Sequence, residues 1–66
     1  MENITIENKI VTFRGSQYMY VGYEIIDNFT VHLILDKTTI SLIINDTKIN
    51  DTVCSTVEQI INILEA

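Results

Sequence analysis

The run Thr30-Val31-His32-Leu33-Ile34-Leu35-Asp36-Lys37-Thr38-Thr39-Ile40-Ser41-Leu42-Ile43-Ile44 carries the pattern that decides the fold. Val31, Leu33 and Leu35 alternate with Thr30, His32 and Ile34; Ile40, Leu42 and Ile44 alternate with Thr39, Ser41 and Ile43. A period of two sends successive side chains to opposite faces of a strand. Lys37-Thr38 between the runs predicts a hairpin with an even loop, aligning Ile44, Leu42 and Ile40 with Val31, Leu33 and Leu35.

The same reading extends upstream. Ile, Val and Thr make up 26 of the 66 residues, and β-branched side chains suit a pleated surface. Strands are predicted at 3–7, 9–14, 17–26, 29–36 and 39–45, punctuated by Asn8-Lys9, Gly15-Ser16, Asp27-Asn28 and Lys37-Thr38. Connections this short make hairpins, so the strands form an antiparallel meander. Loop parity then assigns the faces. An odd Asp27-Asn28-Phe29 loop, with Asn28 in the left-handed region, keeps Glu24 off the apolar side and sets it opposite His32. An odd loop near Gly15 and an even one at Asn8-Lys9 complete the register. The predicted core face is Ile4, Ile6, Val11, Phe13, Met19, Val21, Tyr23, Ile25, Val31, Leu33, Leu35, Ile40, Leu42 and Ile44.

The period changes near the C-terminus. Val57, Ile60, Ile61 and Leu64 fall at i, i+3, i+4 and i+7, one face of a helix. Ser55-Thr56-Val57-Glu58 matches a capping box, and a start near Thr52 would add Val53 to that face. Asn45-Asp46 and Asn50-Asp51 read as two turns flanking a short extended piece. The expected fold is α+β and a single domain over 1–66: a five-stranded antiparallel meander with one C-terminal helix on one face. Gly22 marks where the sheet would bend if it curled into a small barrel.

Composition narrows the function classes. Four Lys and Arg against nine Asp and Glu give a net charge of −5, the wrong sign for displacing counterions from nucleic acid. A base-stacking role for the tyrosines is disfavoured because Arg14 is the chief cation on their face. A single Cys makes no internal disulfide, and no apolar run reaches the ~18 residues of a membrane span. The opening Met1-Glu2-Asn3 has neither the basic start nor the apolar stretch of a signal peptide. A cytoplasmic setting is therefore expected, with the four Asn-x-Thr sequons unmodified. Ile occurs 13 times against 4 Leu and one Ala, with no Pro, which points to an AT-rich genome such as that of a phage or low-GC bacterium.

Chemistry is sparse. Cys54 and His32 are the one nucleophile–base pair the chain offers, and they are predicted on opposite sides of the sheet, so no catalytic residue is expected. Asp46 does not open a calcium loop, because Asp51 stands where such a loop needs Gly. One Cys and one His cannot complete a zinc site, and no cofactor motif occurs. The second sheet face is more informative. Ile10, Tyr18, Tyr20, Ile26, His32, Ile34 and Ile43 are expected there, too many apolar groups for a face that only meets water. Glu7, Asp27, Asp46 and Asp51 are expected to form an acidic rim for a protein with a basic surface. The expected function is a non-enzymatic protein-binding module, an inhibitor or regulator of a larger protein, that forms homodimers or higher oligomers. The alternative is an oligomeric small-molecule binder with a pocket between subunits around Tyr18, Tyr20 and His32.

Overall fold

Three two-residue turns with both central residues at positive φ drive the architecture, as described by a computed structural model covering residues 2–66. They are Asn8-Lys9 (φ 52° and 66°), Arg14-Gly15 (51° and 79°) and Asn50-Asp51 (51° and 66°). Positive φ at both positions is the type I′ geometry, whose twist matches that of the flanking strands. The first two turns join β1 (Glu2–Glu7), β2 (Ile10–Phe13) and β3 (Ser16–Ile25). An Asp27-Asn28-Phe29 loop leads to β4 (Thr30–Leu35), and Asp36-Lys37 turns the chain into β5 (Thr39–Ile43). The third type I′ turn joins β6 (Thr47–Ile49) to β7 (Thr52–Val53), and α1 (Val57–Leu64) follows.

The fold is α+β, with a mixed seven-stranded sheet in the order β5-β4-β3-β2-β1-β6-β7 and one C-terminal helix. This corrects the five-stranded antiparallel expectation. The piece between the two Asx turns is itself a strand, and it pairs parallel with β1, Glu2 beside Thr47 and Ile4 beside Ile49. Asn50 secures this pairing. Its N–H donates to the Ile4 carbonyl (2.8 Å), its Oδ1 accepts from the Ile6 N–H (2.9 Å), and its Nδ2 donates to the Ile6 carbonyl (3.2 Å). The side-chain amide thus substitutes for one more strand residue beside β1.

Seven flat strands would span about 34 Å at ~4.8 Å per strand. The longest extent of the molecule is 26 Å, so the sheet is curled. Its two ends meet where the Asn45 N–H donates to the Cys54 carbonyl (2.7 Å) and the Ile43 N–H to Thr47 Oγ1 (3.2 Å). Inside the curl lies one core: Ile4, Val11, Val31, Leu33, Leu35, Ile40, Leu42, Ile49, Cys54, Ile60 and Leu64. Helix α1 supplies the last two and begins later than expected, because Thr52-Val53 is committed to β7. Thr56 is the N-cap, accepting from the Gln59 N–H, while Gln59 Oε1 accepts from the Ser55 N–H (2.6 Å) and hydroxyl (2.9 Å). The box is therefore one residue downstream of Ser55–Glu58.

Register explains which face predictions held. Tyr23 pairs with Leu33, Glu24 with His32 and Ile25 with Val31, as the three-residue Asp27-Asn28-Phe29 loop requires. That loop closes with the Phe29 N–H on Asp27 Oδ1 (2.8 Å) and without a positive φ at Asn28. The β4–β5 turn sits one residue earlier than predicted, so Ile40 faces Leu33 and Leu42 faces Val31; parity is kept and so are the faces. The loop at Arg14-Gly15 is even, not odd, setting Val11 beside Tyr18. The phase is recovered inside β3, where the register slips between Tyr20, paired with Leu35, and Gly22, paired with Ile34. Val21 is the extra residue of that bulge. Tyr18 and Tyr20 consequently pack against the core, and Met19 and Val21 turn outward, 55% and 63% exposed. Ile25 keeps its side but lies past the cover of the helix, 54% exposed.

Leu33 is fully buried at the centre of the curl, so Leu33→Ala should cost about 2–5 kcal/mol and leave most of the protein unfolded, as read from a urea transition. Asn50→Ala removes two side-chain hydrogen bonds at a positive-φ position and should cost about 1–3 kcal/mol by the same measurement.

Candidate functional site

The outer face can be built rung by rung. Ile10 lies beside Met19, and Gly22 lies beside Ile34, which lies beside Thr39. The next rung runs Glu24, His32, Ser41, and the last brings Thr30 beside Ile43, with the Ile26 N–H bonded to the Thr30 carbonyl (3.0 Å). One apolar cluster thus gathers Ile10, Met19, Val21 and Ile34 near the bulge, and Ile26 and Ile43 flank Thr30 at the far end, with Phe29 exposed in the loop before β4. A polar row, Glu24-His32-Ser41, separates them.

The first cluster is held rigidly. The Met19 N–H donates to Asp36 Oδ1 (3.1 Å) and the Asp36 N–H returns to the Met19 carbonyl (3.0 Å), pinning β3 to the β4–β5 turn. A Cβ placed on Gly22 would meet nothing within 4 Å, so the face is open above the bulge. His32 and Ile34 are half-buried among their strand neighbours, while Ile10, Ile26 and Ile43 are exposed.

Two expected members are elsewhere. Tyr18 and Tyr20 stand on the inner side, so the sheet separates them from His32 and no pocket gathers the three within one copy. Met19, Val21 and Phe29 take their place among the exposed apolar groups. The signal for the exchange was Gly22, because a glycine inside a strand often marks a bulge as readily as a bend. The four acidic residues have different neighbours. Glu7 lines a groove with Ile10 and Gln17, Asp27 one beside Val57 and Glu58, and Asp46 one beside Arg14. Asp51 pairs with Asn3, whose Nδ2 donates to Asp51 Oδ1 (3.0 Å).

A groove of about 670 Å³ lies under the end of α1, with Ile6, Ile49 and Leu64 as its apolar floor and Lys9, Tyr20 and Asn62 as polar rim. Beside it, Tyr23 Oη donates to Glu65 Oε2 (2.6 Å). That hydrogen bond raises the Tyr23 phenol above its ordinary range, and burial with the nearby Glu65 raises Tyr20. Neither hydroxyl is prepared to act as a base near neutral pH.

Cys54 lies in the core, and burial pushes its thiol up, away from the thiolate a nucleophile needs. His32 is on the opposite side of the sheet. Among the described residues no three His, Cys, Asp or Glu side chains are grouped to share a metal ion, and no helix is long and apolar enough to cross a membrane.

Thiol labelling at neutral pH should therefore be much slower for Cys54 in the native protein than after denaturation, with fast native labelling the result that would return it to the list of nucleophiles. Comparison with protein-family models, with curated proteins and with solved structures finds no match.

Proposed function

We propose that this chain is a small acidic, non-enzymatic protein-binding module that self-associates and inhibits or regulates a larger protein. The observation that carries the reading is the outer cluster. Met19 and Val21, more than half exposed on an interior strand, stand beside Ile10 and Ile34 in a rigid sheet. Covering apolar surface contributes ~25 cal/mol per Å², and a preorganised patch loses little entropy on docking. The net charge of −5 suits a target with a basic surface, because opposite charge speeds encounter and excludes acidic competitors. The same charge argues against nucleic acid and anionic membranes as partners. Burial of Cys54 away from His32 supports a role without catalysis. With the Ile-rich, Pro-free composition, these features suit a cytoplasmic phage or mobile-element protein directed at a low-GC bacterial host system.

A second reading, small-molecule binding, rests on the groove of about 670 Å³ under α1, within the range of ligand sites. It predicts a melting temperature that rises with ligand concentration across a nucleotide and metabolite panel.

Val21→Lys places a cation on the outer cluster without entering the core, so the melting curve should barely move. With the two proteins as baits in a low-GC bacterial lysate, a stoichiometric partner should be retained by the unmodified chain and lost at least tenfold with Val21→Lys. Equal capture by both baits would overturn the outer cluster as the contact.

A further inference from the structure

The rungs between β4 and β5 fix which backbone groups of β5 point away from the sheet. The Leu35 N–H donates to the Thr38 carbonyl and the Ile44 N–H to the Phe29 carbonyl. With Ile40 opposite Leu33 and Leu42 opposite Val31, the even-numbered residues of β5 bond to β4. Thr39, Ser41 and Ile43 therefore aim their amides and carbonyls outward. Those of Ile43 are taken: its N–H by Thr47 Oγ1 and its carbonyl by the Asp46 N–H (3.2 Å). Thr39 and Ser41 have no hydrogen-bond partner for these groups among the described residues, and both are exposed. They border a groove of about 310 Å³ between β5 and the Ile4–Phe13 side of the sheet.

An open edge normally carries protection: a lysine, a proline, a bulge or a covering segment. Thr39-Ile40-Ser41-Leu42-Ile43 has no charge, Pro or Gly and runs without a bulge. We infer that two copies of this chain pair antiparallel along this edge, about a two-fold axis at Ile40. This rests on the proposal that the chain self-associates, and it names the contact. The register follows from what is open. An axis at Ile40 sets Thr39 opposite Ser41 of the second copy and joins every open group in four backbone hydrogen bonds. An axis at Ser41 would instead set Thr39 against Ile43, whose groups are occupied.

Charge supports the same occupant. In that register Lys37, at the β4–β5 turn, stands opposite Ile43 of the second copy, at the start of the turn that carries Asp46. Among the described residues neither Lys37 nor Asp46 has an ion-pair partner within its own chain. The two-fold brings these opposite charges together twice, and a second copy is the one partner that supplies both the complementary edge and the complementary charges.

Light scattering behind size exclusion should report close to twice 7.6 kDa at tens of micromolar, and a monomer at several hundred micromolar would overturn the inference. Ser41→Pro removes an amide that points away from β4 and should shift the mass to monomer; a folded, still dimeric Ser41→Pro would overturn it. Should that variant lose its strand circular dichroism, the charge pair decides. Lys37→Glu and Asp46→Lys should each weaken the dimer at least tenfold, and the double exchange should restore it. No recovery in the double variant would overturn the pairing. Val21→Lys should remain dimeric. If it alone dissociates while the β5 variants do not, self-association stands through the outer cluster and the edge contact falls.

Discussion

A sheet with a period of two has one phase, and in β3 that phase is reset by a single extra residue at Val21. Upstream of it Tyr18 and Tyr20 face the core; downstream Tyr23 does. Without the bulge, β3 would have to place either the Tyr18–Tyr20 end or the Tyr23 end in solvent. The bulge lets both ends pack, and the residues it displaces, Met19 and Val21, become exposed apolar groups on the outside. Core and candidate contact surface are thus two results of one local event. Gly22 follows it opposite Ile34, where the outer face stays open.

The N-terminal strand distributes that order to the rest of the chain. Residues 5–7 of β1 pair with β2, and residues 2–4 pair with β6 on the other side. A parallel partner needs a long crossover, and here the crossover is the whole meander, which returns the chain to β1 after β5. Asn50 holds the junction through its own backbone and side chain. The return delivers Ile49, Cys54 and the Ile60–Leu64 face of α1 into the curl. The molecule closes its core because its two chain ends meet the same strand system.

Much of this was legible in the residues. Alternation in β4 and β5 identified Val31, Leu33, Leu35, Ile40 and Leu42 as core, and avoidance of a buried carboxylate at Glu24 found the three-residue loop and the Glu24–His32 pair. The spacing of Val57, Ile60, Ile61 and Leu64 found the helix. Three features escaped for physical reasons. Parity sees an extra residue but not whether it sits in a turn or in a strand, so it predicts an odd loop near Gly15 where the extra residue is Val21 within β3. Strands of two and three residues carry too few alternations to register, which hid β6 and β7 and drew the helix start upstream. Long-range hydrogen bonds from Asn50 have no local signature. The candidate site suffered most, because a face assignment inverts wholesale when the phase slips by one: Tyr18 and Tyr20 exchanged places with Met19 and Val21.

Size imposes the remaining constraint. Helix α1 has 8 residues, about 12 Å at 1.5 Å per residue, and cannot roof seven strands. Curling replaces the missing roof: the sheet covers its own inner face, and the helix needs only to fill one opening. Curvature has a geometric consequence, since the outer surface of a curled sheet is longer than the inner one and spreads its side chains apart. Among the described residues no segment crosses that surface, and Met19, Val21 and Ile43 lie exposed on it. The curl also stops short of full closure. Asn45 and Cys54 join the ends at one point, Thr47 caps Ile43, and beyond that point Thr39 and Ser41 on the β5 edge have no backbone partner among the described residues. Complete closure would have paired the open groups of that edge within the chain itself.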